Sequence, residues 1–197
     1  MDAIAAKWDR IYREVPPHRP EPALILKEHE FLLPPAGSAL DLACGLGGNA
    51  LFLAGLGWEV QAWDIAKAAI DFVDAQARAQ GLKIHAKVCP ADSLQQENTA
   101  FDLIIVSRFL DRTLKDAIID RLKDNGLLFY QTYTRAKSQP QGPNNPEYLL
   151  AENELLRLFA PLKVLFYREY GTFGDVRQGL RNEAQLIGRK HSGRLAK

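Results

Sequence analysis

The segment that most constrains this chain is Ala39-Leu40-Asp41-Leu42-Ala43-Cys44-Gly45-Leu46-Gly47-Gly48-Asn49-Ala50, a short apolar run that passes through a glycine cluster into a helix-forming stretch. A strand that runs into a glycine turn and then a helix N-terminus is the opening unit of a doubly wound sheet. In such sheets backbone N–H groups face the crevice beyond the strands' carboxyl ends, and ligands bind there. Gly45 and Gly47 carry no side chain that would hold a ligand away. The spacing Gly45, Gly47, Ala50 also satisfies the loose dinucleotide fingerprint, so a nicotinamide or flavin cofactor stays open on spacing alone.

Strand-length apolar runs alternate with stretches of helical spacing along the chain, which predicts an α/β fold with a parallel sheet covered by helices. Strands are expected over Ala39–Ala43, Glu59–Trp63, Ile84–Cys89, Leu103–Ser107 and Leu127–Tyr133, with helices over Gly48–Leu56, Lys67–Gln80 and Thr113–Lys123, the last closed by Asp124-Asn125-Gly126. Two further helices, Asp2–Glu14 and Ala23–Leu33, flank the proline-rich Val15–Pro22 and should pack outside the sheet. Arg135–Pro146, with three prolines and a glycine, reads as a long loop; a helix over Glu152–Phe159 and an antiparallel edge pair, Lys163–Glu169 with Ala184–Arg189, follow. At 197 residues and 47% hydrophobic content this is expected to be one domain, divided into an N-terminal lid region (1–37), a ligand-binding core (38–133) and a C-terminal part (134–197).

Charge and cysteine content narrow the partners. Lys plus Arg number 25 against 24 Asp plus Glu, so no global field draws in nucleic acid or an anionic membrane. Two cysteines, Cys44 and Cys89, cannot staple a secreted scaffold or build a zinc site alone, which points to a reducing cytosol and no metal. Charged residues interrupt the first apolar stretch, and no segment reaches the ~20 apolar residues of a membrane span. A soluble, cytoplasmic protein with a small ligand is expected.

Three acidic residues stand at strand ends. Asp41 places a carboxylate beside the glycines, where a pyrophosphate is repelled and an ammonium or sulfonium group is welcomed. The local alternative is that it accepts hydrogen bonds from loop N–H groups. Asp64 follows Gly47 by 17 positions (64 minus 47), near the ~20-residue offset at which an acidic side chain binds ribose hydroxyls. Its alternative is to cap the next helix. Asp92, with Ser93 after it, suits an adenine amino group or an exposed turn.

These strand ends, together with Phe101-Asp102-Leu103-Ile104-Ile105-Val106 and Leu122-Lys123-Asp124-Asn125-Gly126-Leu127-Leu128, resemble a class I S-adenosylmethionine-dependent methyltransferase over about Ser38 to Tyr133. The flanks, Trp8-Asp9 with Tyr12, Asn153-Glu154-Leu155-Leu156 with Phe159, and Glu183-Ala184-Gln185-Leu186-Ile187, are similar to its tellurite-resistance and thiopurine methyltransferase-like branch. The resemblance implies a seven-stranded, mostly parallel sheet with one antiparallel strand. It also implies a cofactor site in which Asp41, Gly45 and Gly47 surround the methionine part, Asp64 holds the ribose, and Asp92 and Ser93 meet the adenine. Ala43, Cys44, Asn49, Ile65 and Ser107 complete that set. Ser107-Arg108-Phe109-Leu110 after the fourth strand lacks the Asn-Pro-Pro-Tyr of amino-group methylases, and Cys89-Pro90 is the reverse of the Pro-Cys used in cytosine C5 methylation.

Methyl transfer from a sulfonium is an in-line displacement, so holding acceptor and methyl at roughly 3–3.5 Å with aligned orbitals supplies most of the assistance. A soft nucleophile, such as a thiolate or a selenium or tellurium oxyanion, needs no dedicated base. His18, His29, His85 and His191 form no base–carboxylate pair by spacing, and only His18 falls near a lid. Trp8 and Tyr12 share a helical face and are candidates to close over the cofactor. Arg108, Tyr133, Arg177 and Arg181 are candidates to line the pocket of a small-molecule methyl acceptor, with Arg194 and Lys197 in a basic tail. Two readings stand beside this one, a nicotinamide-dependent oxidoreductase and a non-catalytic cofactor-binding module.

Overall fold

The computed structural model describes residues 2–15 and 18–192. Among them seven strands, β1 (Ser38–Leu42), β2 (Glu59–Asp64), β3 (Ile84–Val88), β4 (Phe101–Ser107), β5 (Leu122–Tyr133), β6 (Lys163–Arg168) and β7 (Glu183–Arg189), form one sheet in the order β3-β2-β1-β4-β5-β7-β6. β1 to β5 pair in parallel, while β7 runs antiparallel to both β5 and β6. The expected α/β class is therefore present, with one antiparallel strand inserted beside the edge. The order reverses between β1 and β4, so their carboxyl ends flank the crevice where ligands bind in such sheets.

Side-chain alternation builds the two layers. Leu40, Leu42, Ile104, Val106 and Leu128 pack on one face, and Ala39, Leu103, Ile105, Phe129 and Ile187 on the other, so central strands read as almost continuous apolar runs. The helices are α1 (Asp2–Glu14), α2 (Leu24–Glu28), α3 (Gly48–Gly55), α4 (Lys67–Gln80), α5 (Lys115–Asp120) and α6 (Glu154–Leu158). α5 and α6 cover the first face through Ile118 and Leu155; α2, α3 and α4 cover the second through Ile25, Leu53 and Val73. α1 lies outside this layer, against α4. Asp41, two residues beyond Ala39, is carried by the same alternation into the second layer beneath α3.

Several boundaries differ from the sequence expectation, each for a local reason. The helix expected over Thr113–Lys123 shrinks to α5 behind a 3-10 turn, Arg112–Leu114, because Leu122 already pairs with Phe101, whose N–H donates to the Arg121 carbonyl. Asp124-Asn125-Gly126 does not end a helix. It belongs to a bulged part of β5 in which Asn125 takes φ 63° and its N–H donates to the Lys190 carbonyl. The helix expected over Ala23–Leu33 breaks at His29, φ −124° and ψ 23°, into α2 and the 3-10 turn Glu30–Leu32. β1 stops before Ala43, which takes φ 57°. β4 starts earlier than expected at Phe101, and β3 ends before Cys89.

The long loop after β5 folds back on the sheet. Gly142, at φ 78°, lies on the Tyr133 ring so closely that a Cβ there would sit 2.5 Å from Cδ1. Asn182 fastens the same loop by accepting from the Ser138 N–H at 2.7 Å. No helix among the described residues is long and apolar enough to cross a membrane.

Candidate active site

Backbone conformation shapes the turn after β1. The Cys44 N–H donates to the Trp63 carbonyl and the Gly47 N–H to the Cys44 carbonyl, both at 2.9 Å. Ala43, Gly45 and Gly47 all take positive φ (57°, 53° and 73°), and Ala43 is the one that bears the cost of a Cβ there. Gly48 reads in the sequence only as the start of a helix, yet a Cβ on it would lie 2.3 Å from the Glu21 carbonyl oxygen. The Glu21–Pro22 backbone thus crosses directly over the first turn of α3, a constraint set by a remote residue and invisible in the local pattern.

Two carboxylates sit behind this turn. Asp41 is fully buried; its Oδ2 accepts from the Ala50 N–H at 3.1 Å and its Oδ1 from Asn49 Nδ2 at 3.2 Å. Asp64 Oδ2 accepts from the Gly45 N–H and Oδ1 from the Ala66 N–H, each at 2.8 Å. Asp64 does not cap α4, since the N-cap is Ala66. Burial pushes the Asp41 carboxyl up to about 7, against the opposing hydrogen bonds from Asn49 and Ala50 and with reinforcement from Asp64. Burial also raises the Asp64 carboxyl and pushes the Cys44 thiol far up, which makes that thiol an inert space-filler. Neither carboxylate forms an ion pair with a described residue. The turn therefore presents negative charge with no protein cation to match it, a setting suited to a cationic ligand group.

α1 closes over this turn. Tyr12 lies against Gly45, so that a Cβ there would fall 2.8 Å from the Tyr12 hydroxyl. Burial raises the phenol's pKa, and Asp64, Cys44 and Asp41 add to the rise. Trp8 stacks on Tyr12 with ring centroids 5.8 Å apart, as the four-residue spacing predicts. Asp9 docks the helix: its Oδ1 accepts from the Ala68 N–H at 2.6 Å, supplying from a distant segment the cap that α4 lacks. Arg13 pairs with Asp9 at 2.7 Å. Beside this junction a cavity of about 370 Å³ is lined by Tyr12, Val15, His18, Leu46 and Phe72.

The other side of the crevice begins at Asn49. Its Nδ2 donates to Ser107 Oγ at 3.1 Å as well as to Asp41, and its Oδ1 accepts from the Ala23 N–H at 2.8 Å, so one amide joins α3, β1, β4 and the start of α2. Arg108, next along the chain, takes φ 54°, an uncommon conformation for a residue with a Cβ, and its N–H donates to the Gln131 carbonyl at 2.8 Å. Its exposed guanidinium stands 3.5 Å from the buried carboxylate of Glu183. Tyr133 faces both: burial raises its phenol, Arg108 opposes the rise and Glu183 adds to it.

The two remaining arginine candidates among the described residues are engaged in their own loop. Arg177 is exposed and paired with Asp175 at 2.9 Å. Arg181 donates to the carbonyls of Gly171, Phe173, Asp175 and Gln178, and so organises the loop between β6 and β7. Ile65 is half-buried after β2. Asp92 is exposed and Ser93 half-buried on the 3-10 turn Ala91–Gln96. Arg194 and Lys197 lie outside the described residues. Among the described residues no group of three or more His, Cys, Asp or Glu side chains is placed to hold a metal ion.

Comparison with known proteins follows the same lines. Residues 26–177 match the family described as "Tellurite resistance protein TehB". A Haemophilus influenzae protein named "Probable S-adenosyl-L-methionine-dependent methyltransferase TehB" is 30% identical over 135 residues, 66% of this chain and 47% of that protein. The chain thus spans about half the length of the curated relatives it matches. The crystal structure of TehB from Haemophilus influenzae superposes with a TM-score of 0.69 at 19% identity, over 94% of this chain and 66% of that one. An S-adenosylmethionine-dependent methyltransferase from Clostridium acetobutylicum gives 0.65 at 18% identity, over 97% and 99%. These structures share the fold.

Proposed function

Because the chain belongs to the TehB family of tellurite-resistance proteins, we propose that it transfers a methyl group from S-adenosyl-L-methionine to a small molecule bearing a soft nucleophile, a thiol or a chalcogen oxyanion such as selenite or tellurite. The observation that carries this reading is the pair of buried carboxylates, Asp41 and Asp64, without a cationic partner at a glycine turn. A cationic methionine moiety relieves that imbalance, whereas the pyrophosphate of a nicotinamide cofactor would aggravate it.

In this reading Asp41, Ala43, Cys44, Gly45, Gly47 and Asn49 hold the methionine part, Asp64 and Ile65 the ribose, and Asp92 and Ser93 the adenine. When bound, the cofactor supplies an electrophilic methyl on a sulfonium. The chain's own residues then do the positioning. Tyr12 and Trp8 shield the Gly45 turn from water, Ser107 and Asn49 set the border of the crevice, and Arg108 with Tyr133 orients the acceptor. Residues 1–37 act as lid, 38–133 as cofactor core and 134–197 as the acceptor side. Arg181 serves the acceptor side indirectly, through its loop. Two buried free cysteines suit a cytoplasmic setting, and the near-neutral charge suits a small acceptor rather than nucleic acid.

Calorimetry is the test. S-adenosylmethionine and its demethylated product should bind and stabilise the protein by ~2.7 kcal/mol at 100 times Kd, and NAD should not. Asp64→Ala should weaken cofactor binding by roughly 1.5–3 kcal/mol, the scale of hydrogen bonds to a charged group. Labelled cofactor with thiols, selenite, tellurite and small amines then reports turnover. Stabilisation by NAD alone refutes the proposal.

A further inference from the structure

In the sequence Glu183 figures only as the first residue of the Glu183-Ala184-Gln185-Leu186-Ile187 stretch. In the fold it opens β7 opposite Tyr133, at the carboxyl end of β5, and is 5% exposed. Its carboxylate is held on both sides. Gln131 Nε2 donates to one oxygen, and Arg108 Nε stands 3.5 Å from the other. The Gln131 amide has no freedom to turn, because its Oε1 accepts from the Ile25 N–H at 2.9 Å and from Gln185 Nε2 at 2.8 Å. Gln185 is fixed in turn by Arg168 Nε at 2.8 Å. Glu183 is thus locked in place by a buried polar network that runs beneath α2.

Arg108 is held to the same spot from its own side. Its left-handed backbone and the bond from its N–H to the Gln131 carbonyl aim the side chain at β7, and 63% of that side chain remains exposed at the mouth of the crevice. Ser107, one residue before, contacts Asn49, which contacts Asp41. Arg108 is therefore one residue along the chain from Ser107, which joins the Asn49–Asp41 hydrogen-bond chain behind the glycine turn.

Resting on the methyltransferase reading above, we infer that Glu183 is a positioning residue that sets acceptor specificity: by neutralising Arg108 it turns the acceptor pocket away from oxyanions and toward an acceptor that arrives uncharged, such as a thiol. An arginine built to capture an oxyanion presents its full charge to the ligand. Here an incoming anion meets a buried carboxylate that cannot swing aside, and the two repel at short range. An uncharged acceptor incurs no such repulsion and still finds the guanidinium and the Tyr133 hydroxyl as hydrogen-bond donors; a thiol gives up its proton to solvent, which reaches the exposed Arg108 side, as its sulfur takes the methyl and the sulfonium leaves as the neutral thioether. Replacing Glu183 by glutamine keeps the shape and the acceptor for Gln131 while removing the charge.

The experiment compares the wild-type protein with Glu183→Gln and with Glu183→Gln combined with Arg108→Met. Selenate, an unreactive dianion, is titrated by calorimetry into each protein in the presence of demethylated cofactor. Methyl transfer to 2-mercaptoethanol and to selenite is followed with labelled cofactor, with kcat and KM separated. Glu183→Gln should bind selenate at least tenfold more tightly than wild type and shift the kcat/KM ratio toward selenite at least tenfold, mainly through KM. The gain should vanish when Arg108 is also replaced, and cofactor affinity should stay within about twofold throughout. Equal selenate binding by wild type and Glu183→Gln, or a gain that survives loss of Arg108, overturns the inference. Should glutamine disturb β7, Glu183→Asp, which withdraws the charge from the guanidinium, should move both readouts in the same direction by less, and no movement there counts equally against it. A protein that binds cofactor but methylates nothing refutes the proposed activity, and the selenate titration still decides the role of Glu183.

Discussion

Asp41 links the burial of the turn to a measurable pH dependence. Its carboxyl moves from 3.8 to about 7 in the folded protein, chiefly through burial. That rise corresponds to ~4 kcal/mol, at 1.36 kcal/mol for each tenfold change in proton affinity. A carboxyl whose folded pKa is raised stabilises the fold fully below its unfolded pKa, and the contribution is lost as pH climbs through the folded value. The window therefore runs from about pH 4 to about pH 7. Asp41→Asn removes the titration but leaves an acceptor for the Ala50 N–H, so its constant offset cancels in the pH dependence. Urea unfolding of both proteins across this range should show the wild-type advantage shrinking by up to ~4 kcal/mol, at close to ~1.4 kcal/mol per pH unit in mid-range. A ligand ammonium or sulfonium near Asp41 would favour the ionised form, so cofactor titrations at about pH 6.5 in two buffers of different ionisation enthalpy should reveal proton release that Asp41→Asn lacks. A flat difference across the window would mean that burial does not raise the Asp41 carboxyl, and the argument from its unrelieved burial would fall with it.

Two further substitutions test the elements around the turn. Asp9→Ala removes the acceptor on the Ala68 N–H, so it should cost ~0.5–2 kcal/mol, the scale of a lost helix cap, and speed hydrogen exchange at Ala68 and cofactor release; unchanged exchange there would show that α1 is docked by its apolar face alone. Gly48→Ala should lower Tm, because ~1 kcal/mol of helix propensity is outweighed by the ~1–3 kcal/mol of pushing the Glu21 backbone aside. A rise in Tm would show that the linker yields freely.

How much of this was legible in the sequence depends on how local each constraint is. α1 and α4 match their expected spans because long amphipathic stretches carry their own period, and Gly81, at φ 63°, stops α4 where a glycine should. The glycine turn was equally plain, since strand, turn and helix adjoin in the chain. The helix over Thr113–Lys123 failed for the opposite reason: its apolar residues suit either state, and only pairing of Leu122 with Phe101 decides for strand. Arginines near the crevice show the same division. Arg108 and Arg181 look alike in the sequence, yet one projects beside Glu183 from a left-handed residue after β4, while the other spends its guanidinium on four carbonyls of its own loop. No short-range pattern separates an arginine that pairs with a remote strand from one that builds its own loop. What separates them is the partner, and Glu183 lies 75 positions after Arg108 (183 minus 108) and is brought to it only because β7 enters the sheet antiparallel to β5. The Arg108–Glu183 pair thus forms at the point where the topology departs from a simple parallel repeat, which is also where sequence periodicity carries least information.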